Sequence, residues 1–285
     1  IFDLSRSRMC SSAGAILTVN GPRMPVESMG ESSDMSVQIE QWRQSLASIK
    51  SHLSSGNLRS LVDKQSLNSP KLVEHLRFHD KICTIQEGLL SSHVDKEKQL
   101  DCSSHSSLSD PVIGDWCNFI SNSYRAPSGL DKVLILLPCS ARKPYRFSKS
   151  HGRFIRAINN NSCHEVMVTS PLGLVPRDLE EVWPASHYDI PVTGDWTSDE
   201  LLRTQNVLSS LLSRHEYKLV INHSSMKLST GDVELIETRN GQTAGNFDAL
   251  ENLSKVVKDA LVKYEVPNRR NNRALMDTFA SVSRK

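Results

Sequence analysis

Apolar residues recur at three- and four-residue steps from Val37 through Ile39, Trp42, Leu46 and Ile49 to Leu53, which predicts a helix over about 37–52. Gly56 stands where a C-cap glycine belongs. A second helix starts at Asn57-Leu58, and Ser69-Pro70 reads as N-cap and first residue of a third, with Leu72, Val73 and Leu76 on one face. Ahead of them, Ala15–Val19 lies between turn signals at Gly14 and at Asn20-Gly21-Pro22 and predicts a short strand. Beyond Pro111 the pattern alternates. A helix carrying Val112, Trp116, Phe119 and Ile120 precedes a strand at 132–138, and a helix at 149–158 precedes a strand at 165–169. A helical turn at 177–181, a strand near 188–192, a helix from Thr197 or Ser198 through Leu211 and a strand at 217–222 follow; helices at 246–264 and 271–283 close the chain. Alternating strands and helices predict an α/β domain with a mostly parallel sheet covered on both faces.

The 285 residues suggest two domains. The pattern divides them into a mainly helical segment over 1–91, a Ser-, Lys-, Asp- and His-rich linker over 92–110, the α/β domain over 111–264 and a helical connection over 265–285. With 38% hydrophobic and 23% charged residues the composition is that of a globular protein. No run approaches the roughly 18 apolar residues of a membrane span, and no secretory signal is visible, so a cytoplasmic location is expected. The six cysteines are scattered without a Cys-x2-Cys pair, which argues against a zinc ribbon or a disulfide framework and for free thiols. Cys102 and His105 lack companions as metal ligands, and no metal or cofactor is expected. The net charge of +2 is too small to argue nucleic-acid binding by itself. Locally, however, Arg142, Lys143, Arg146, Lys149 and Arg153 crowd together without an acid, and the tail is enriched in Lys263, Arg269, Arg270, Arg273, Arg284 and Lys285. Two readings stand: a solvated basic face, or a surface that contacts phosphates.

The densest chemistry follows the apolar run Val133–Leu137. The stretch Pro138-Cys139-Ser-Ala-Arg-Lys143-Pro144-Tyr145-Arg-Phe-Ser148-Lys-Ser150-His151 sets a thiol, an amine, a phenol, hydroxyls and an imidazole at the end of a strand. In open α/β sheets that edge is where ligands bind. Two further blocks follow in order: Thr169-Ser-Pro-Leu-Gly173-Leu-Val-Pro176-Arg177-Asp-Leu-Glu180, and Trp183-Pro-Ala-Ser-His187-Tyr188-Asp189-Ile-Pro191-Val-Thr193-Gly194-Asp-Trp196.

These three blocks resemble archaeosine synthases, archaeal tRNA-modifying enzymes related to tRNA-guanine transglycosylases, whose Pro-Cys-x3-Lys-Pro-Tyr-x2-Ser-x2-His signature is matched at Pro138, Cys139, Lys143, Pro144, Tyr145, Ser148 and His151. The resemblance covers about 129–285 well and about 1–80 loosely. It implies a three-layer α/β domain similar to uracil-DNA glycosylases, preceded by a mainly helical remnant of a transglycosylase-like barrel. It also implies a longer protein, of which this chain is a fragment, with more barrel ahead and an RNA-binding PUA domain after it. The zinc-binding cysteines of such barrels are missing, with only Cys10 nearby.

The implied reaction adds the amine of free lysine across the nitrile of 7-cyano-7-deazaguanine in the D-arm of tRNA; a separate radical lyase later cleaves the adduct. A thiolate is the side-chain nucleophile best suited to a nitrile, and an amine can displace it from the resulting thioimidate. Cys139 is the candidate, with Arg142 and Lys143 expected to lower its pKa; the alternative is a small core residue. His151, Tyr145 and Lys143 are candidate proton donors. Lys143 could instead hold phosphate or the lysine carboxylate, His151 could cap or pack, and Ser148 could be an N-cap or a ligand contact. Asp189 could bind an amino group or the base edge. Ser170, Gly173, Arg177, His187, Tyr188 and Asn222 complete the expected substrate-binding set, with Arg177 on phosphate. The partners implied are tRNA, free lysine and a radical lyase subunit, with no membrane and with homo-oligomerisation left open. The rival reading is a non-catalytic tRNA-binding or scaffold subunit; a base-excision hydrolase rests on fold analogy alone.

Overall fold

The computed structural model describes residues 15–16, 24–25, 35–56, 58–67, 70–83, 99–102, 105–159, 162–190 and 195–267, and divides into two compact units, 1–114 and 115–285.

In the first unit, β1 (Ala15–Ile16) pairs antiparallel with β2 (Met24–Pro25). Helices α1 (Met35–Ser54), α2 (Leu58–Ser66) and α3 (Pro70–Cys83) follow the predicted spans. Gly56 adopts φ +62°, as a helix-ending glycine should. The apolar stripe of α1 is less buried than its spacing suggests, since Leu46 and Leu53 remain exposed. What ties α2 to α3 is polar. Arg59 bonds Asp63 through Nε at 3.1 Å and Asp80 through Nη2 at 2.8 Å, with Asp110 3.8 Å away. Burial outweighs the Arg59 charge at Asp63 and lifts its carboxyl to about 6. Within the expected linker, β3 (Leu100–Asp101) and a 3₁₀ turn (His105–Ser109) form, and Cys102 is buried.

In the second unit, α4 (Pro111–Asn122) leads to β4 (Val133–Pro138), a 3₁₀ turn (Tyr145–Phe147), α5 (Lys149–Ile158) and β5 (His164–Thr169). Next come β6 (Gly173–Pro176), a 3₁₀ turn (Arg177–Leu179), β7 (Tyr188–Asp189), α6 (Ser198–Ser213), β8 (Leu219–Asn222), β9 (Glu234–Glu237) and α7 (Phe247–Lys263). The five-stranded sheet has the order β6-β5-β4-β8-β9; β4, β5, β8 and β9 are parallel and β6 is antiparallel to β5. Val133–Leu137 are fully buried, as a strand covered on both faces requires. The chain passes from β4 to β5 on one side and returns past β4 to β8 on the other. Right-handed crossovers in these opposite directions put α5, with α7 packed on it, and α6 on opposite faces. The α/β expectation is met. The structure adds β6 and β9, which the sequence pattern did not predict as strands.

Helix starts follow the local chemistry. Thr197 and Glu200 form a full capping box on α6, and Ser148 caps α5 by accepting from the His151 N–H at 3.2 Å. The predicted helix at 271–283 and the strand residues 191–192 lie outside the described residues. Among the described residues no helix is long and apolar enough to cross a membrane.

Gly173 is a close-approach position. Its φ is +71°, and a Cβ there would stand 3.4 Å from Val207 Cγ2 and 3.7 Å from Thr204 Cα of α6. Gly173→Ala is therefore expected to lower stability by about 1–3 kcal/mol, read from the urea midpoint.

Candidate active site

Parallel strands align their carboxyl ends. Pro138 stands opposite Val168 and Leu136 opposite Asn222, so Cys139, Thr169 and His223 emerge at one edge of the sheet. Because β5 and β8 leave β4 in opposite directions, the sheet's topological switch point lies beside the end of β4, where open α/β sheets leave a crevice for a ligand. Cys139 is the first residue past that end.

Four side chains converge there. Tyr145 and Tyr188, both buried, join their hydroxyls in a short hydrogen bond, and the Tyr188 hydroxyl also bonds Thr169 Oγ1. Thr169 Oγ1 donates to the Ser170 carbonyl at 3.0 Å, so it accepts from Tyr188, which in turn accepts from Tyr145. The Thr169 hydroxyl also acts on the Cys139 thiol, pulling its pKa down. Lys143 completes the group, with Nζ 4.0 Å from the Tyr188 ring centroid.

The electrostatics correct one expectation. Burial is the largest influence on the Cys139 thiol and leaves its pKa raised; the Lys143 charge and the Thr169 hydroxyl pull it down without overcoming burial. Both phenols are also pushed up, first by burial. At neutral pH the group is a protonated thiol in contact with a chain of neutral hydroxyls.

His151 has both ring nitrogens engaged. Nε2 lies 3.0 Å from the Pro138 carbonyl and Nδ1 3.1 Å from Arg177 Nη2. A carbonyl only accepts and a guanidinium only donates, so Nε2 carries the proton and Nδ1 accepts. Burial and the Arg177 charge hold the imidazole neutral, down to about 3. His151 thus clamps the last carbonyl of β4, one residue before Cys139, rather than presenting a free proton. His164, at the opposite end of β5, is likewise held down to about 3 by burial. Unfolded histidines bind protons near 6.5, so between pH 6.5 and about 3 the unfolded chain takes up protons that the folded chain refuses. Stability is therefore expected to be intact above pH 6.5 and to fall below it, by up to about 1.4 kcal/mol per pH unit for each histidine. An unchanged urea midpoint between pH 7.5 and 5 would show that these rings protonate in the folded protein.

Arg177, expected on phosphate, is committed inside the protein. Nε and Nη2 bond Glu165 Oε2 at 2.9 and 2.7 Å, and Nη1 bonds Glu180 Oε2 at 3.0 Å. Glu180, with no side-chain exposure, also accepts from Arg146 Nε at 2.6 Å and from the Arg146 backbone N–H at 3.1 Å. The remaining candidates divide. Ser148 is the N-cap of α5. Ser170 Oγ bonds Glu200, which belongs to the α6 capping box. Asn222 is satisfied internally: Nδ2 donates to Met226 O and to Glu237, each at 2.8 Å, and Oδ1 accepts from Ser224. His187 and Asp189 are exposed on either side of buried Tyr188; His187 Nδ1 meets Ser186 Oγ at 2.7 Å. Of the sequence candidates, Cys139, Lys143, Tyr145 and Tyr188 come together. Thr169 joins them unforeseen, and its signal was a hydroxyl at a strand's carboxyl end. Among the described residues, no cluster of His, Cys, Asp or Glu could hold a metal.

Residues 113–257, which include every member of this cluster, match the family described as Domain of unknown function (DUF5591). The chain belongs to the DUF5591 family. Relatives of this DUF5591 chain carry names. It is 36% identical over 226 residues to the archaeosine synthase subunit alpha of Methanosarcina acetivorans, covering 75% of this chain and 35% of the relative. It is 39% identical over 175 residues to the subunit alpha of Thermoplasma acidophilum, covering 61% and 33%. It is 34% identical over 194 residues to the archaeosine synthase of Haloferax volcanii, covering 68% and 32%. The DUF5591 chain thus spans about a third of the length of these curated relatives.

Proposed function

We propose that this chain is the catalytic part of a tRNA-modifying transferase of archaeosine biosynthesis, adding the amine of free lysine to the nitrile of 7-cyano-7-deazaguanine in tRNA. The observation that carries the reading is the Cys139 thiol at the switch point, beside Thr169 and Lys143; the signature around it and the names of the relatives agree with it. A domain similar to uracil-DNA glycosylases, a transglycosylase-like remnant before it and a cytoplasmic setting belong to the same reading.

The chemistry balances as follows. Cys139 Sγ attacks the nitrile carbon; the S–C bond forms and one C–N π bond breaks, giving a thioimidate. Lys143 gives a proton to the imidate nitrogen and takes up the proton that the thiol releases, so it ends charged as it began. On loss of its proton, Sγ is met by the Thr169 O–H, turned from the Ser170 carbonyl. The lysine amine then adds to the same carbon. The C–S bond breaks, the sulfur takes the proton that the added amine releases, and an amidine remains. His151 and the Arg177 network position the end of β4, and in this reading Asp189 binds the incoming amine.

Burial that keeps the thiol protonated favours a second reading, a non-catalytic tRNA-binding or scaffold subunit. Incubating the protein with tRNA bearing 7-cyano-7-deazaguanine and isotopically labelled lysine separates the two by nucleoside mass spectrometry. A lysine-sized mass gain is expected; no gain, with tRNA binding demonstrated in the same mixture, leaves the scaffold.

A further inference from the structure

The first turns of α5 begin at the candidate site, because His151 ties them to the Pro138 carbonyl. The helix is amphipathic in an unusual way. His151, Phe154, Ile155 and Ile158 are buried, while Lys149, Arg153 and Arg156 share the exposed face at steps of four and three residues, over about 10 Å of helix axis. The helix contains no acid. Arg142, exposed in the turn between Cys139 and Lys143, adds a fourth cation between the thiol and the helix along the chain. None of these four cations forms an ion pair among the described residues. In a chain of 34 basic and 32 acidic residues, four unneutralised cations over residues 142–156 are a local excess rather than a general basicity.

Two aromatic rings flank the stripe. Phe147, immediately before the N-cap of α5, is 52% exposed, and Phe247, the first residue of α7, is 75% exposed. Phe247 is two residues from Gly245, whose carbonyl lies 3.5 Å from Arg153 Nη1. Folding normally hides such rings. A line of cations bounded by exposed aromatic faces is the arrangement that tracks a phosphate backbone and stacks unpaired bases; an acidic protein surface would use the cations and leave the rings idle.

We infer that the exposed face of α5, from Arg142 to Arg156 with Phe147 and Phe247 at its flanks, is an RNA docking surface that holds unpaired nucleotides flanking the base presented to Cys139. This rests on the RNA substrate of the proposed function and adds where and in what form that RNA is held: splayed single strand, not duplex.

The test is fluorescence anisotropy with the whole protein, a labelled tRNA transcript, and a labelled single strand and duplex of equal length. The transcript lacks the nitrile base, so the readout is independent of lysine transfer. Arg153→Glu with Arg156→Glu is expected to weaken tRNA binding more than tenfold. It should also flatten the dependence of log affinity on log salt by about 1.4–1.8, the loss of two phosphate contacts. Phe147→Ala is expected to weaken the single strand roughly tenfold and the duplex little, at an unchanged salt slope. All three side chains are exposed, and an unchanged melting temperature confirms that the fold survives. Affinities within twofold of wild type for both variants overturn the inference. So does equal loss on duplex and single strand for Phe147→Ala, and so does displacement of the RNA by polyglutamate at matched charge, which assigns the face to an acidic protein. Weakened RNA binding in the variants, with no lysine incorporation by the wild type, keeps the docking surface and removes the transferase reading.

Discussion

Arg177→Met is expected to destabilise the α/β unit by about 3–5 kcal/mol, read as a fall in the urea midpoint at constant slope. The guanidinium is shared by Glu165, Glu180 and the His151 ring. Removing it leaves Glu165 buried without this partner and leaves Glu180 to Arg146. Breaking one member of a buried ionic group costs more than the group itself contributes, because the surviving charge stays desolvated. The paired change Arg177→Met with Glu165→Gln should therefore recover part of the loss, a coupling that a double-mutant cycle measures. Additive losses would mean that the two charges do not depend on each other. Arg177→Lys should fall between, since one ammonium cannot reproduce a fork that addresses three partners.

In the proposed reaction, Cys139→Ala is expected to lower kcat/KM for lysine addition by roughly 10⁴-fold or more while tRNA affinity holds, because the substitution removes the proposed nucleophilic atom. The raised thiol pKa adds a signature. Below it, the rate limited by sulfur attack should climb with pH, and Lys143→Met should move that climb to higher pH, since the Lys143 charge is the largest influence pulling the thiol down. Thr169→Val should cost roughly 10²-fold, the scale of losing one donor to a developing anion. A mass gain that persists in Cys139→Ala would leave the reaction standing and remove the covalent step.

Much of the scaffold was legible because its signals are local. Val133–Leu137 is uniformly apolar and became the buried central strand, and Thr197 with Glu200 became a capping box. β6 and β9 escaped notice for a shared reason. Both are four-residue edge strands; β6 is framed by prolines and β9 reads Glu-Leu-Ile-Glu, so neither carries the apolar run of a central strand. At the site, residue types were legible and partners were not. Arg177 looked like a phosphate ligand because its neutralising Glu165 lies twelve residues earlier on a different strand. His151 looked like an acid because nothing in the sequence places it against a carbonyl and a guanidinium. The expected fall in the Cys139 pKa counted neighbouring charges, which are visible in sequence, against burial, which is not.

The strand order has a consequence for how copies of the domain meet. Among the described residues the sheet ends at β9, and such a rim ordinarily invites a strand from another molecule. Here glutamates open and close β9, and Glu234 is held by Lys263 and Tyr264 from the end of α7. A second copy laid antiparallel on this rim would bring like charges together and would have to displace that clasp. The β9 rim is thereby guarded against growing sideways into a continuous intermolecular sheet.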